Sequence, residues 1–442
     1  MKKHVLLFFL FALSFSNGYS QEAYEKLYDN GLDKIDRKDY NGAVEDFTKV
    51  IELVPDYPSA YFNRGYSTYN LGNYQKAIAD FDKTIQLKPT HMHAYYKRGM
   101  AKAMLNDYKG AIADYTKAIE LKDENPEAYY NRGLAKGNLG NDTGAIADFN
   151  DAIDLRSDYA EAFYARGKKR GNLGDYKGAI EDFDSVIELD PGFSIAYYNS
   201  GVARVLTGDF KQAVEDLDNY IEAKPREAEA YYYRGMAHGE LGDNEDAIKD
   251  FTKALALKPD YIEAYYNRGN RYRTEGYFKE AIADYNKALN LQPDMVLAYS
   301  YRGVAKGDYG DTKGALLDIN KAIELNPKEA INYYNRAGLY SHSKEVNKAI
   351  NDYNKAIFYN PEYVNAYYNR GVVKLGTQDH SGAIKDFDKV IELKPTHAKA
   401  YFGRGNAKRD MGDTDGACVD WKKAVQLGYQ PQAGFLNANC GN

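Results

Sequence analysis

Ala128-Tyr129-Tyr130-Asn131-Arg132-Gly133 is written again, letter for letter, at 264–269 and at 366–371. Near-copies stand at 60–65, 94–99, 196–201, 230–235, 298–303 and 400–405, and every separation is a multiple of 34 residues. A fixed period of that length marks a chain of stacked structural units rather than a local motif. Twelve units follow, starting at 24, 58, 92, 126, 160, 194, 228, 262, 296, 330, 364 and 398, and they run to Pro431 without insertion or deletion. They are called repeats 1 to 12 below.

Each repeat reads as two helices, A and B. The A helix carries the Ala-Tyr-Tyr segment and stops at Gly72, Gly140, Gly174, Gly208, Gly242, Gly276, Gly310 or Gly412, where a left-handed residue closes a helix. Asp or Asn follows directly in ten repeats, as in Asn73, Asp107, Asn141, Asp175 and Asp209, and is placed to cap the next helix. The B helix spells Ala-Ile-x-Asp-Phe-x-Lys-Ala-Ile, with apolar residues at helical spacing. A proline near the end of nine repeats, from Pro55 to Pro395, breaks the chain before the next A helix.

The constant positions have packing reasons. Ala occupies one B-helix position in all twelve repeats (Ala43, Ala77, through Ala417), and Gly one A-helix position in eleven, with Ala337 the exception. Small residues let the helices approach closely, and Phe47, Phe81, Tyr115, Phe149 and Trp421 fill the adjoining space. A unit this short cannot bury its own apolar face, so neighbours must stack.

Tyr61, Gly65, Tyr74, Ala77, Phe81 and Pro89, with their counterparts, resemble the tetratricopeptide repeat family over nearly the whole chain. The resemblance implies an all-α solenoid: antiparallel helix pairs stacked into a right-handed superhelix, with the A helices lining a concave groove. It also implies a role in binding peptides or protein partners, without catalysis.

Two charged positions recur. Asp precedes the large B-helix residue in every repeat, from Asp46 to Asp420, and Arg fills one A-helix position in ten, from Arg64 to Arg404. In a hairpin that turns near Gly72, Arg64 and Asp80 lie at similar height. The expectation is a repeated Arg–Asp pair that fixes register, since such a pair must offset desolvation; the other reading is a ladder of ligand-binding arginines.

The second aromatic of each Ala-Tyr-Tyr lies about 100° around the helix from the first, which shares the core face with Gly65. The resemblance puts this second set at the groove: Tyr28, Phe62, Tyr96, Tyr130, Tyr164, Tyr198, Tyr232, Tyr266, Tyr334, Tyr368 and Phe402, with Ser300 the exception. Beside them stand Asn63, Asn131, Asn199, Asn267, Asn335 and Asn369. Tyr and Asn together offer apolar area and hydrogen bonds to a peptide backbone or to sugar hydroxyls. The alternative is that the rings pack between neighbouring A helices. Some family members hold acidic C-terminal peptides in a Lys-Asn-Arg clamp, but here the clamp's first Lys position is aromatic. Glu25, Glu127, Glu161, Glu229 and Glu263 also border the early groove, which makes an acidic tail a poor ligand.

Composition closes other routes. A formal charge of −6 argues against a general nucleic-acid binder. Two Cys among 442 residues make neither a disulfide scaffold nor a zinc-cluster protein. His91 and His93 are two apart and do not share a helix face, so no metal site is expected, and no phosphate loop, catalytic triad or cofactor motif appears. The expected function is non-enzymatic protein or peptide binding, with glycan or small-molecule binding as the alternative.

Residues 1–20 form a separate object. Lys2, Lys3 and His4 precede the apolar run Val5 to Phe15, and Gly18 and Ser20 are small residues before a cut between Ser20 and Gln21. This is the pattern of a secretory signal peptide; the run is too short for a membrane span. The mature chain is expected to be exported, periplasmic or secreted, from a Gram-negative bacterium. In that setting Cys418, in the last B helix, and Cys440, in the tail 432–442, either pair to staple the tail over the end of the stack or remain two unrelated thiols.

Overall fold

The structure is a computed structural model that describes residues 22–122 and 124–441. Among the described residues every regular element is a helix. The first A helix spans 22–36, and from there A and B helices alternate through Thr414–Gln426, followed by a short terminal helix, Phe435–Cys440. The chain forms two compact units, one up to Pro225 and one from Arg226 onward. The boundary falls in the loop between repeats 6 and 7.

Within a repeat, helix A and helix B meet where the sequence placed its small residues. A Cβ added to Gly65 would lie 2.9 Å from the Phe81 ring, and one added to Gly133 would lie 2.7 Å from the Phe149 ring. The invariant B-helix alanines are fully buried, as are Phe47, Phe81, Tyr115, Phe149, Tyr285, Tyr353, Phe387 and Trp421. The first tyrosine of each Ala-Tyr-Tyr departs from its expected core placement. Only Tyr231 and Tyr333 are buried; the others are half-buried, and most of these rings carry a guanidinium above them. Arg64 lies 5.6 Å from the Tyr61 ring centre and Arg132 lies 5.3 Å from that of Tyr129.

All twelve A–B turns contain a left-handed residue at the same position. Eight are the glycines named above, and the other four are Lys38, Asn106, Lys344 and Gln378, at φ between 59° and 65°. Side-chain capping of the B helix occurs in seven repeats: Asp39, Asp107, Asn141, Asp175, Asp311, Asp379 and Asp413 each accept from the backbone N–H three residues on. In all seven that third residue is glycine. A Cβ at Gly110 would sit 2.2 Å from an Asp107 oxygen, so the carboxylate closes only onto a bare backbone. Asn73, Asp209 and Asp243, followed at that position by Lys76, Gln212 and Asp246, make no such bond.

Candidate functional site: the A-helix face

The asparagines and tyrosines singled out at the A-helix face are bonded to one another across successive repeats. Asn63 Nδ2 donates to Tyr28 Oη at 2.8 Å, Asn131 to Tyr96 at 2.9 Å and Asn199 to Tyr164 at 3.2 Å. In the second unit Asn267 donates to Tyr232 at 3.0 Å and Asn369 to Tyr334 at 2.9 Å. Asn335 reaches Ser300 Oγ at 3.3 Å, the residue that replaces a ring. A phenol both accepts and donates. Each of these five hydroxyls is occupied as an acceptor, and among the described residues none of them donates.

Most of these rings are wedged between two other aromatic groups. Tyr28 lies 5.6 Å from Phe47 of its own B helix and 5.2 Å from Tyr57 in the loop to the next repeat. Phe62 sits against Phe81 and His91, Tyr130 against Phe149 and Tyr159, and Tyr368 against Phe387 and His397. Tyr198 packs on Tyr220, Tyr266 on Tyr285 and Tyr301, and Phe402 on Trp421 and Tyr429. Most of the set is half-buried and Tyr232 is buried. Burial pushes the phenols of Tyr96 and Tyr232 up to about 12, and those of Tyr130, Tyr164 and Tyr266 upward as well. They remain protonated, and therefore able to donate, throughout the physiological range.

The arginines are committed elsewhere. All ten hold the Asp sixteen residues on in a two-pronged grip, Nε to one carboxylate oxygen and Nη2 to the other, at 2.5–3.1 Å. A third nitrogen reaches back to the preceding repeat's B helix. Arg64 donates to Thr48 at 3.3 Å, Arg166 to Asn150 at 2.7 Å, Arg268 to Thr252 at 2.9 Å and Arg302 to Asn286 at 2.6 Å. The arginine thus ties two B helices together past its own A helix. Many of the Asp carboxylates also take a second cation one turn along helix A, as Asp114 does from Lys102 and Asp148 from Lys136, each at 2.8 Å. Burial still raises the carboxyls of Asp182 and Asp284 above their usual range. For these two, desolvation outweighs the attraction of the guanidinium.

Sequence reading missed the backward contact, although a signal was present. The residue after the large B-helix side chain is Thr, Asp or Asn in repeats 1 to 11, from Thr48 to Asp388, and becomes Lys422 in repeat 12. An acceptor stands wherever an arginine follows.

Other predicted positions fall as follows. His91 Nδ1 accepts from Ala94 N at 3.2 Å, and among the described residues no cluster of metal-ligating side chains occurs. Glu127 pairs with Arg156, and Glu229 with Lys258 at 3.1 Å. Cys418 and Cys440 are joined, S–S 2.08 Å, and Phe435 beside them lies 4.9 Å from Trp421 and 5.5 Å from Phe402. Ser20 and Gln21, with the leader they end, lie outside the described residues. Among the described residues, cavities open between A helices. One of about 510 Å³ in repeats 9–11 is lined by Asp308, Tyr334, Asn335, Leu339, His342 and Asn369, among others. One of about 210 Å³ lies in repeats 5–6.

Family models described as tetratricopeptide repeat match 58–91, 126–159, 160–193, 228–261 and 364–397, and a TPR repeat model matches 31–72, 103–140, 269–310 and 339–378. Together they take in well over half of the chain. The chain belongs to the tetratricopeptide repeat family. Among solved TPR structures, yeast Tom70 is 18% identical, with 93% of both chains covered and a TM-score of 0.45. YrrB, described as a TPR protein with an unusual peptide-binding site, is 29% identical over 41% of this chain and 94% of its own, with a TM-score of 0.38. MamA from Desulfovibrio magneticus RS-1 is 26% identical over 38% of this chain and 96% of its own, with a TM-score of 0.37. No curated protein matches. No helix among the described residues of this TPR chain is long and apolar enough to cross a membrane.

Proposed function

We propose that this TPR chain is an exported, non-catalytic scaffold that binds an extended peptide or protein segment along its A-helix face. One observation carries the reading: four half-buried tyrosine hydroxyls, on Tyr28, Tyr96, Tyr164 and Tyr334, each accept from an asparagine of the next repeat and keep their own hydrogen. Fixed in place by that bond, each hydroxyl is pre-set as a donor, and what it suits is a series of acceptors such as backbone carbonyls. Sugar hydroxyls can accept from the same phenols, so the capture experiment below is what separates the two ligand classes. Export is supported by the charged-apolar-small pattern of residues 1–20 and by the Cys418–Cys440 bond, which an oxidising compartment sustains.

The test has two arms. Cell fractionation with N-terminal sequencing of the mature chain is expected to place it outside the cytoplasm, starting at Gln21. Capture of partners from the exported fraction, run beside a glycan array, is expected to retain protein. Retention of an oligosaccharide and no protein would overturn the reading.

A further inference from the structure

At one A-helix position, glycine in one repeat opens a socket that the next repeat fills with a long side chain. Gly137 faces Lys169, Gly239 faces Arg271 and Gly307 faces Leu339; a Cβ on each glycine would lie 2.7, 2.7 and 2.8 Å from the filling side chain. The cationic fillers find polar ends there. Lys169 Nζ meets Gly137 O at 3.3 Å and Asp142 at 2.7 Å, while Arg271 meets Gly239 O at 2.8 Å and Glu240 at 3.0 Å.

The fourth socket of this kind is empty. Gly171 faces Ala203, whose methyl is too short to enter, and the nearest atom to a Cβ on Gly171 is that of Ala179, 3.9 Å away. This socket borders the cavity of about 210 Å³, walled by Tyr176, Phe183, Val202 and Leu206, as the Leu339-filled socket borders the one of about 510 Å³. The charge pattern at Gly171 differs from that of the two cation-filled sockets. Tyr176 stands where Asp142 stands in repeat 4, and Asn172 where Glu240 stands in repeat 7, so neither carboxylate is present. Exposed Lys168 adds a positive charge to the lining. A cation is disfavoured here; the neutral aliphatic filler, as Leu339 is at Gly307, fits.

Resting on the peptide-binding reading above, we propose that the Gly171–Ala203 socket receives one leucine or methionine side chain of an extended peptide, which supplies from outside the group that the other three sockets receive from the next repeat. Full burial of such a side chain corresponds to roughly tenfold or more in affinity.

The experiment uses the full mature chain and a phage-displayed library of random linear peptides. Selection on wild type is expected to enrich peptides with a Leu or Met, and replacing that residue by Ala in the peptide to weaken binding about tenfold or more. Ala203→Leu, which fills the socket from within, is expected to raise the melting temperature and weaken the parent peptide by a similar factor, with no further loss for the Ala peptide. Ala203→Met is a second filler should leucine's branching disturb packing; circular dichroism reports whether each variant is folded. Peptides that bind wild type but ignore both filled variants would overturn the socket and leave peptide binding intact. Failure to enrich any peptide on wild type would overturn both.

Discussion

Arg204 stands one helical turn beyond Ser200 and performs the part of the arginine that Ser200 displaces. Its Nε lies 2.9 Å from Asp216 and 3.1 Å from Ser200 Oγ, while Nη2 grips Asp184 of the preceding repeat at 2.7 and 2.8 Å. Repeat 6 therefore keeps both links, to its own B helix and to the one before, from a different rung of helix A. Arg204→Ala strands the half-buried Asp216 and is expected to cost about 2 kcal/mol. Moving the cation back, with Ser200→Arg and Arg204→Thr together, is expected to recover most of that loss. Urea midpoints of the three chains, compared at equal slope, check it.

Asn332 is fully buried, and both polar atoms of its amide lack a partner. The equivalent residue is Ala in ten other repeats. A buried amide with unmet hydrogen bonds costs about 1–3 kcal/mol. Asn332→Ala is therefore expected to stabilise the chain by about 1 kcal/mol after the lost packing is counted. An unchanged or lowered thermal midpoint would show that the amide is satisfied in solution.

Lys344 and Gln378 hold the left-handed turn conformation, at φ 59° and 65°, that eight other repeats give to glycine. For a residue with a Cβ this costs about 1–2 kcal/mol. Lys344→Gly and Gln378→Gly are each expected to gain about 1 kcal/mol, less the backbone entropy that glycine adds to the unfolded chain. Gly310→Ala, at φ 95°, is expected to lose stability by a comparable amount. Denaturant titration of the three variants gives the signs.

His91 and His397 cap A helices through a neutral ring nitrogen that accepts from Ala94 N and Ala400 N, each at 3.2 Å. Burial holds both imidazoles below their usual value. The native state thus binds these protons less readily than the unfolded chain does. Their contribution is complete above about pH 6.5 and declines as the pH falls through the lowered native values. Loss of a cap costs about 1 kcal/mol. The double variant His91→Asn, His397→Asn keeps an acceptor at every pH and is expected to lose less stability between neutral and mildly acid pH than wild type. Equal losses would remove the histidines from the explanation.

The helix pairs and their register were legible because identical residues recur at one spacing, and the Arg64–Asp80 pair because both lie at one height of a hairpin. What escaped detection involves a neighbouring repeat or a sterically bare atom. Thr48 reads as an ordinary exposed B-helix residue until Arg64 of the next repeat is placed over it. Asp107 capping requires Gly110, and socket Gly137 requires Lys169; each pairing shows only when repeats are compared position by position. The hydroxyls of Tyr28 and Tyr96 were visible as groove candidates, but their prior engagement by Asn63 and Asn131 was not, since the partners lie 35 residues on.

The three-way grip of the arginines also has a mechanical side. Inside either compact unit, Arg302 clasps Asp318 in one B helix and Asn286 in the previous one, while Asn320 is held in turn by Arg336. An interior repeat is thus fastened on both sides, whereas one at the edge of such a run is fastened on one. Under tension each unit is expected to give way from its edges, shedding repeats singly, with its interior repeats closed longest.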